Sequence, residues 1–318
     1  MKKKKILLIT AILLIMASLF GIFVLGVYKI SDNIFIFNEY VKKLLSERPL
    51  RKLNINNNKH ILFIGVDGLS GPAVLQSKNN NYKDLEKHSI YNVNGERSRW
   101  TYTIRSFMSI SSGKDLNEIE LSLIKNRLID TSIFNTISRS KKTTAIFESG
   151  YNVDGDVFAA PDTYIDYYPF NENISKSVMM NEFEKLDEKT TIKGMDYFLK
   201  NQPTFEMMYI ANPDHAGHNF NGWSKEYLRS IEFIGERLKY IIDRLKTNPT
   251  LAKNTLVYIT SDHGFEKNMN SHTNVNTFNT KHVPVYFWNI DYNSKKANEY
   301  ESKNYNARFY WEEWLEGK

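Results

Sequence analysis

Aspartate and histidine residues cluster where two apolar runs of the sequence end. Asp214, His215 and His218 follow the run FEMMYIA, and Asp262 and His263 follow the run TLVYITS. Carboxylates and imidazoles are the usual protein ligands of zinc at catalytic sites, and manganese accepts the same groups. A polar loop would also fit either cluster alone. Their shared position and shared ligand chemistry instead indicate parts of one metal site.

A further aspartate, Asp67, follows the apolar run 61–66 in the motif FIGVDG. In open α/β sheets, ligands bind outside the carboxyl ends of the strands. An aspartate after a strand often only caps a turn or a helix. Three strand ends with the same ligand chemistry are a more specific signal of a metal site than one aspartate. We expect these three ends to meet at one edge of a sheet.

Short apolar runs alternate with amphipathic segments along the chain. The runs that predict strands are 61–66, 142–149, 204–211, 255–262 and 283–290. The segments that predict helices are 115–130, 180–200 and 224–246, the last with Ser224 as its N-cap. Alternation of this kind predicts an α/β fold with a mostly parallel central sheet and helices on both faces. The Tyr-, Asp- and Asn-rich range 151–180 breaks the alternation and is interpreted as an insertion.

The N-terminus predicts a membrane anchor. Lys2–Lys5 precede Ile6–Val27, an uncharged stretch of 22 residues. At about 1.5 Å per residue, such a helix spans the roughly 30 Å hydrocarbon core of a bilayer. Because clustered lysines stay in the cytoplasm, the rest of the chain is expected outside it, in the periplasm or at the cell surface.

Three regions follow from this reading. We expect residues 1–28 to form the lysine cluster and the transmembrane anchor, residues 29–59 to form a stalk, and residues 60–318 to form the folded domain that carries the metal-site candidates. The stretch contains no convincing signal-peptide cleavage site, which favours a retained anchor.

Composition excludes several functional classes. The chain has no cysteine, so it contains no disulfide, no thiolate metal site and no cysteine nucleophile. Its formal charge is +6, of which Lys2–Lys5 supply four, and the remaining formal charge is only +2. No nucleic-acid-binding module is visible in the sequence.

Five motifs occur in a fixed order between about residue 60 and residue 290, namely FIGVDG, TIRSFMSISSG, NPDHAGH, TSDHGF and SHTN. Together they resemble the motifs of the alkaline phosphatase superfamily, and the 60–318 region is then its catalytic domain. The resemblance is closest to the branch of nucleotide pyrophosphatase/phosphodiesterases and of phosphoethanolamine or phosphoglycerol transferases. It implies an alkaline phosphatase-like fold and a centre that binds two divalent cations, with zinc expected and manganese as the alternative.

The resemblance also implies two ligand sets. The first comprises Asp67, Thr103, Asp262 and His263. The second comprises Asp214, His218 and His272. His282, just before the run VPVYFW, is the fallback for His272.

Thr103 is the expected nucleophile, because members of the superfamily place it ten residues before a glycine, here Gly113. Neighbouring hydroxyls that could be mistaken for it are Thr101, Ser106 and Ser109. Arg105 stands where many members have proline, and Ser106 stands where the phosphodiesterases have a phosphate-binding asparagine. Both are candidate phosphate contacts, and for Arg105 a solvated surface position is an equal alternative.

The sequence therefore predicts a membrane-anchored, extracytoplasmic phosphodiesterase or phosphohydrolase with a phospho-threonine intermediate. A nucleotide or lipid-headgroup diester is the expected substrate. One alternative is a phosphoethanolamine or phosphoglycerol transferase that modifies an envelope glycan or lipid. The other is a binding protein of the same fold without turnover. Sulfatases share the fold but need a cysteine or serine that matures to formylglycine. This chain has no cysteine and has Thr103 at the expected nucleophile position, which disfavours the sulfatase branch.

Overall fold

The computed structural model describes residues 52–115, 132–150, 162–166, 176–273 and 275–318. Within these ranges, no helix has both the length and the apolar composition needed to cross a membrane. The predicted anchor at residues 6–27, most of the stalk, nearly all of the predicted helix 115–130 and most of the range 151–180 lie outside them.

An eight-stranded sheet is formed by the described residues, in the spatial order β4-β3-β5-β1-β6-β7-β2-β8. The strands are β1 His60–Val66, β2 Ser89–Glu96, β3 Thr144–Glu148, β4 Thr163–Asp166, β5 Phe205–Ile210, β6 Thr255–Ser261, β7 His282–Trp288 and β8 Lys295–Lys296. Every strand pair is parallel except those of β7 with β6 and with β2. The prediction of a mostly parallel sheet is confirmed.

Helices accompany the strands. They are α1 Gly71–Val74, α2 Asn81–Glu86, α3 Thr103–Ser112, α4 Ile133–Arg139, α5 Lys176–Asn201, α6 Asn212–Phe220, α7 Lys225–Lys246, α8 Pro249–Asn254, α9 Phe278–Lys281 and α10 Ala307–Glu316, with a 3-10 turn at Asn304–Asn306. The predicted helix 224–246 corresponds to α7, and Ser224 caps it by accepting a hydrogen bond from the Tyr227 N–H. The predicted helix 180–200 lies within α5.

Helices pack on both faces of the sheet. On one face, Leu62, Ile64 and Val66 of β1 belong to an apolar core that includes Ile234 and Leu238 of α7. Both sides of β1 are buried along its whole length, which explains its continuous apolar sequence.

The opposite face is organised around Trp311 of α10. Its ring centroid lies 5.3 Å from that of Phe63, 5.2 Å from Phe205 and 5.4 Å from Tyr258. These three rings come from β1, β5 and β6, so one indole packs across the three central strands. Removing such a buried aromatic side chain costs about 3–5 kcal/mol.

The central strands β5, β1 and β6 lie side by side and run in the same direction. Val66 pairs with Ile210 of β5 and with Ser261 of β6. The residues that follow these three strands therefore emerge next to one another at the carboxyl edge of the sheet.

Candidate metal centre

Asp67 is fully buried where β1 leaves the sheet. Its N–H donates to the Ile210 carbonyl (2.8 Å), which extends the β1–β5 pairing by one residue. Gly68 then has a φ of 72°, and a Cβ here would lie 2.8 Å from the Cα of Asp214. Glycine alone tolerates both the left-handed backbone and the close approach. The turn after β1 therefore lies directly against the segment that carries Asp214.

Asp262 and His263 follow β6 and face Asp67. Asp262 Oδ1 accepts hydrogen bonds from the N–H groups of His263 (2.9 Å) and Gly68 (3.2 Å). His263 Nδ1 lies 3.3 Å from the Gly264 carbonyl, so the proton is assigned to Nδ1 and Nε2 is left as an acceptor. This Nε2 lies 3.2 Å from Asp67 Oδ1 and 3.3 Å from Asp262 Oδ2. We call Asp67, Asp262 and His263 the first cluster.

Asp214 and His218 lie one turn apart on α6, and the side chain of His272 approaches them from the segment after β6. His218 Nε2 and His272 Nε2 are each 3.4 Å from Asp214 Oδ1. The Nδ1 atoms contact backbone carbonyls, that of His218 at Asn270 (2.7 Å) and that of His272 at Thr101 (2.6 Å). We call Asp214, His218 and His272 the second cluster.

The two clusters adjoin each other. The rings of His263 and His272 stack with centroids 3.5 Å apart and planes inclined by 15°. His263 Nε2 also lies 3.8 Å from Asp214 Oδ1. The groups whose ligand atoms could together hold a cation are Asp67 with Asp262 and His263, and Asp214 with His263 and His272. His263 therefore borders both clusters.

The donor set fits divalent cations. His218 Nε2 and His272 Nε2 are 3.1 Å apart. Because both Nδ1 atoms contact backbone carbonyls, the Nδ1 atoms are the donors and the two Nε2 atoms face each other as acceptors. Two facing acceptors repel each other, so this arrangement calls for a proton or a cation between them. Buried polar atoms of the centre without a hydrogen-bond partner in the described structure are Asp67 Oδ1, Asp214 Oδ1, Asp262 Oδ2 and His263 Nε2. Buried polar groups are rarely left unpaired, and metal coordination would satisfy all four.

The electrostatics of the centre reflect concentrated, buried negative charge. Burial and the charge of Asp214 raise the pKa of Asp67 to about 8, and burial with the charge of Asp67 raises the pKa of Asp262 well above its usual range. Burial also disfavours ionised Asp214, but the His218 imidazole 3.4 Å away and the other nearby imidazoles lower its pKa to about 2. The carboxylate of Asp214 in turn raises the pKa of His218 to about 9. Burial and the adjacent imidazole of His263 lower the pKa of His272 to about 3. The second cluster thus holds positive charge beside Asp214.

Thr103 is the first residue of α3 and is partly exposed. Its Oγ1 donates to Asp67 Oδ2 (3.2 Å), and the Tyr209 hydroxyl donates to the same oxygen. Gly113, from which Thr103 was located in the sequence, ends the helix with a φ of 72°. The structure thus brings the Thr103 hydroxyl to the first cluster, while its role as nucleophile stays a prediction.

Arg105 and Ser106 have different surroundings. The guanidinium of Arg105 lies over the rings of Trp100 (4.7 Å) and Tyr102 (5.1 Å), which restricts its orientation beside Thr103. Ser106 is fully buried, and its hydroxyl donates to the backbone carbonyl of Asp262 (3.0 Å). The Ser106 proton therefore links α3 to the end of β6. Phosphate contacts by either residue stay predictions.

His282 begins β7, apart from both clusters. Its Nδ1 contacts the Phe278 carbonyl (2.9 Å), and its ring lies over Phe278 at 4.0 Å. The structure thus brings His272, and not His282, beside Asp214 and His218.

Two residues of the centre were missed by sequence reasoning. Tyr209, which contacts Asp67, is the one hydroxyl-bearing residue of the strand FEMMYI, and this polar group in a fully buried strand was the available signal. Arg97 is buried and donates to the carbonyls of Trp100 (3.0 Å) and Thr280 (3.0 Å). It thereby ties the segment before Thr103 to the segment after the second cluster, and no sequence signal pointed to it.

The model of the type I phosphodiesterase / nucleotide pyrophosphatase family matches residues 63–313. The chain belongs to this family. The family comprises phosphodiesterases and nucleotide pyrophosphatases, which are phosphoric-ester enzymes, and the recognition made from the motifs is confirmed.

Curated relatives include GPI ethanolamine phosphate transferase 1 of Saccharomyces cerevisiae, which is 25% identical over 152 residues, and that of Yarrowia lipolytica, which is 28% identical over 110 residues. The matches cover 45% and 35% of this chain, but only 16% and 12% of the respective relatives.

Solved structures agree on the fold. An alkaline phosphatase superfamily protein from Vibrio parahaemolyticus has a TM-score of 0.52 at 12% identity, with 77% of this chain and 63% of that chain covered. A 2-O GAG sulfatase has a TM-score of 0.54 at 13% identity, with 78% and 68% covered. At these identities the likeness concerns the fold alone.

Proposed function

We propose that the chain is a membrane-anchored, extracytoplasmic phosphodiesterase that uses Thr103 as a nucleophile in a centre for two divalent cations. The observation that carries this proposal is the hydrogen bond from Thr103 Oγ1 to Asp67 Oδ2, at 3.2 Å. The Thr103 side chain is partly exposed, whereas Tyr209 and Ser106 are fully buried. The accessible hydroxyl therefore lies beside the two adjoining carboxylate–imidazole clusters.

The residues of the first cluster would hold one cation together with Thr103, and those of the second cluster would hold the other. Bound cations would lower the pKa of a coordinated hydroxyl and neutralise the charge of the phosphoryl group. Zinc suits the carboxylate and imidazole donors, and manganese is the alternative.

The chain's own groups account for the order of events. Thr103 Oγ1 gives its proton to Asp67 and bonds to phosphorus as the bond to the leaving oxygen breaks, and that oxygen takes a proton from solvent to become the alcohol. Water then attacks phosphorus from the opposite side and loses one proton to solvent as the bond to Thr103 breaks. The Thr103 oxygen takes its proton back from Asp67. Arg105, whose guanidinium lies over the rings of Trp100 and Tyr102, would contact a phosphate oxygen through charge-assisted hydrogen bonds.

A neighbouring cavity offers room for the rest of a diester. It measures about 380 Å³, and its walls include Trp100, Thr101 and Tyr102, which directly precede Thr103. The substrate class we propose is a phosphate diester in which one of the two alcohols belongs to a nucleotide or a lipid headgroup.

The proposal also includes the domain organisation. Residues 6–27 would anchor the chain in the membrane, residues 29–59 would form a stalk, and the catalytic domain would begin at about residue 60. Leu53 and Asn56 already contact this domain, since Leu53 is buried and the Asn56 N–H donates to the Leu315 carbonyl (2.7 Å).

Turnover of chromogenic phosphodiesters and monoesters by the full-length chain, with Zn²⁺ and with Mn²⁺, tests the proposal. Thr103→Val keeps the side-chain shape without the hydroxyl and is expected to lower kcat by at least about 1,000-fold. Thr103→Ser keeps a nucleophile and is the matched control. Mass spectrometry of acid-quenched protein should find the phosphoryl group on residue 103. Full activity of Thr103→Val contradicts the nucleophile assignment.

A phosphotransferase is the second candidate, and the yeast relatives favour it because they are named as ethanolamine phosphate transferases. The same phospho-threonine would then be attacked by an acceptor alcohol instead of water. The partition of product between free phosphate ester and alcohol adduct, measured with added glycerol, separates the two. A binding protein without turnover is disfavoured because all seven proposed ligands are present.

A further inference from the structure

Helix α6 carries two of the proposed ligands but has no cap of its own. Its N-cap residue is Ala211, and no side-chain hydrogen bond caps the helix from that position. Alanine is among the poorest N-cap residues because it has no oxygen to accept from the free N–H groups of the first turn. Pro213, near the start of the helix, lacks an N–H group altogether. The N–H groups of Ala211 and Asn212, at the N-cap and first helical positions, have no acceptor within the helix and need one from elsewhere.

Asp187 of α5 supplies that acceptor. Its Oδ1 accepts from the Ala211 N–H (3.2 Å), and its Oδ2 accepts from the Asn212 N–H (3.2 Å). The same Oδ1 accepts from the hydroxyl of Ser149 (2.5 Å), which directly follows β3. Asp187 is 1% exposed, so bulk water does not reach these contacts.

The arrangement requires two acceptor oxygens. The two backbone N–H groups can only donate, and a carboxyl group accepts on both of its oxygens. Negative charge at a helix N-terminus is also stabilised by the helix dipole. An asparagine has nearly the same shape, but its NH₂ group would face at least one backbone donor.

The contact lies only two residues before Asp214. Because Asn212 begins α6, any shift of the first turn moves Asp214, and His218 follows one turn later on the same helix. Asp214 Oδ1 has contacts of 3.4 Å with two histidines, and small movements of such ligands weaken metal binding.

We propose that Asp187 is a positioning residue, which holds the first turn of α6 against β3 and β5 and thereby places Asp214 and His218 in the second cluster. This inference rests on the proposed function in so far as Asp214 and His218 bind a cation. Residues that orient ligands in this way typically change metal affinity by about 10- to 100-fold when they are removed.

The test uses the full-length chain with Asp187→Ala and Asp187→Asn. Asp196→Ala is the matched control, since Asp196 lies on the same helix, is half-exposed and pairs with Arg244 at 2.8 Å. In EDTA, amide hydrogen exchange should show that Ala211 and Asn212 lose protection in both Asp187 variants and keep it in the control. Equilibrium dialysis with Zn²⁺ should show weaker binding of one of the two equivalents, by about 10- to 100-fold for Asp187→Ala and about three- to tenfold for Asp187→Asn.

Unchanged exchange at Ala211 and Asn212, or zinc affinities within twofold of the parent protein, would overturn the inference. If Asp187→Ala does not fold, Asp187→Asn decides by the same two measurements. A parent protein that binds two equivalents of zinc but cleaves no diester would refute the proposed function and leave this inference intact. A parent protein that binds no divalent cation would overturn both.

Discussion

Asp67→Asn should make the metal-free protein more stable, although the substitution removes a proposed ligand. Burial and the charge of Asp214 raise the pKa of Asp67 from 3.8 to about 8. A carboxyl group whose pKa is raised on folding contributes stability below its unfolded pKa and loses it as pH rises through its folded pKa. At pH 7 the cost of keeping Asp67 in the metal-free centre therefore reaches an upper limit of about 4 kcal/mol, from about 1.4 kcal/mol per pKa unit.

Asparagine suits the metal-free surroundings of Asp67. Its amide oxygen can still accept from Thr103 and from Tyr209, and its NH₂ group can donate to the acceptor His263 Nε2, which lies 3.2 Å from Asp67 Oδ1. We therefore expect the free energy of unfolding in EDTA at pH 7 to rise by about 2–4 kcal/mol.

Urea unfolding followed by tryptophan fluorescence measures this effect. In EDTA, the parent protein should lose stability between pH 5.5 and pH 7.5 relative to Asp67→Asn, because only the parent carries the titrating carboxyl group. With saturating Zn²⁺ the order should reverse, since bound metal stabilises only the folded state that can hold it. A variant that is less stable than the parent in EDTA at pH 7.5 would refute the reasoning.

Three other substitutions test separate parts of the structure. Tyr209→Phe removes a hydroxyl that donates to Asp67 and should weaken zinc binding by about tenfold or more in dialysis; unchanged affinity contradicts this. Gly71→Ala would place a Cβ 2.0 Å from the Val93 carbonyl oxygen and should lower the free energy of unfolding in urea by about 1–3 kcal/mol. An unchanged free energy of unfolding contradicts the close approach. Burial lowers the pKa of His60, so as the pH falls through about 6.5 the unfolded state takes up the proton more readily than the folded state. The parent should therefore lose more stability than His60→Gln between pH 7 and pH 5, and equal losses contradict this.

The sequence predicted the central sheet because its strands are buried on both faces. Each predicted apolar run corresponds to one of the strands β1, β3, β5, β6 and β7. The strand β2 was missed because only one of its sides is fully buried. Its sequence SIYNVNGE therefore alternates between buried and partly exposed residues and contains no continuous apolar run. The strand β4, Thr163–Asp166, lies within the range interpreted as an insertion and pairs with β3 at the edge of the sheet.

The site was predictable where strand ends determine position. Asp67, Asp262 and His263 directly follow adjacent parallel strands, so their proximity follows from the strand order. The segment with Asp214 and His218 forms helix α6, whose four-residue spacing places both side chains on one face. His272 reaches the centre from an irregular segment, so only the family resemblance could assign it over His282. Asp187 was beyond sequence reasoning, because a single aspartate in an amphipathic helix is usually solvated.

Anomalous diffraction from crystals of the protein grown with Zn²⁺ tests the central claim most directly. The account predicts two peaks, one within coordination distance of Asp67, Asp262 and His263, and the other within coordination distance of Asp214, His218 and His272. A single peak, or peaks away from these side chains, would contradict it.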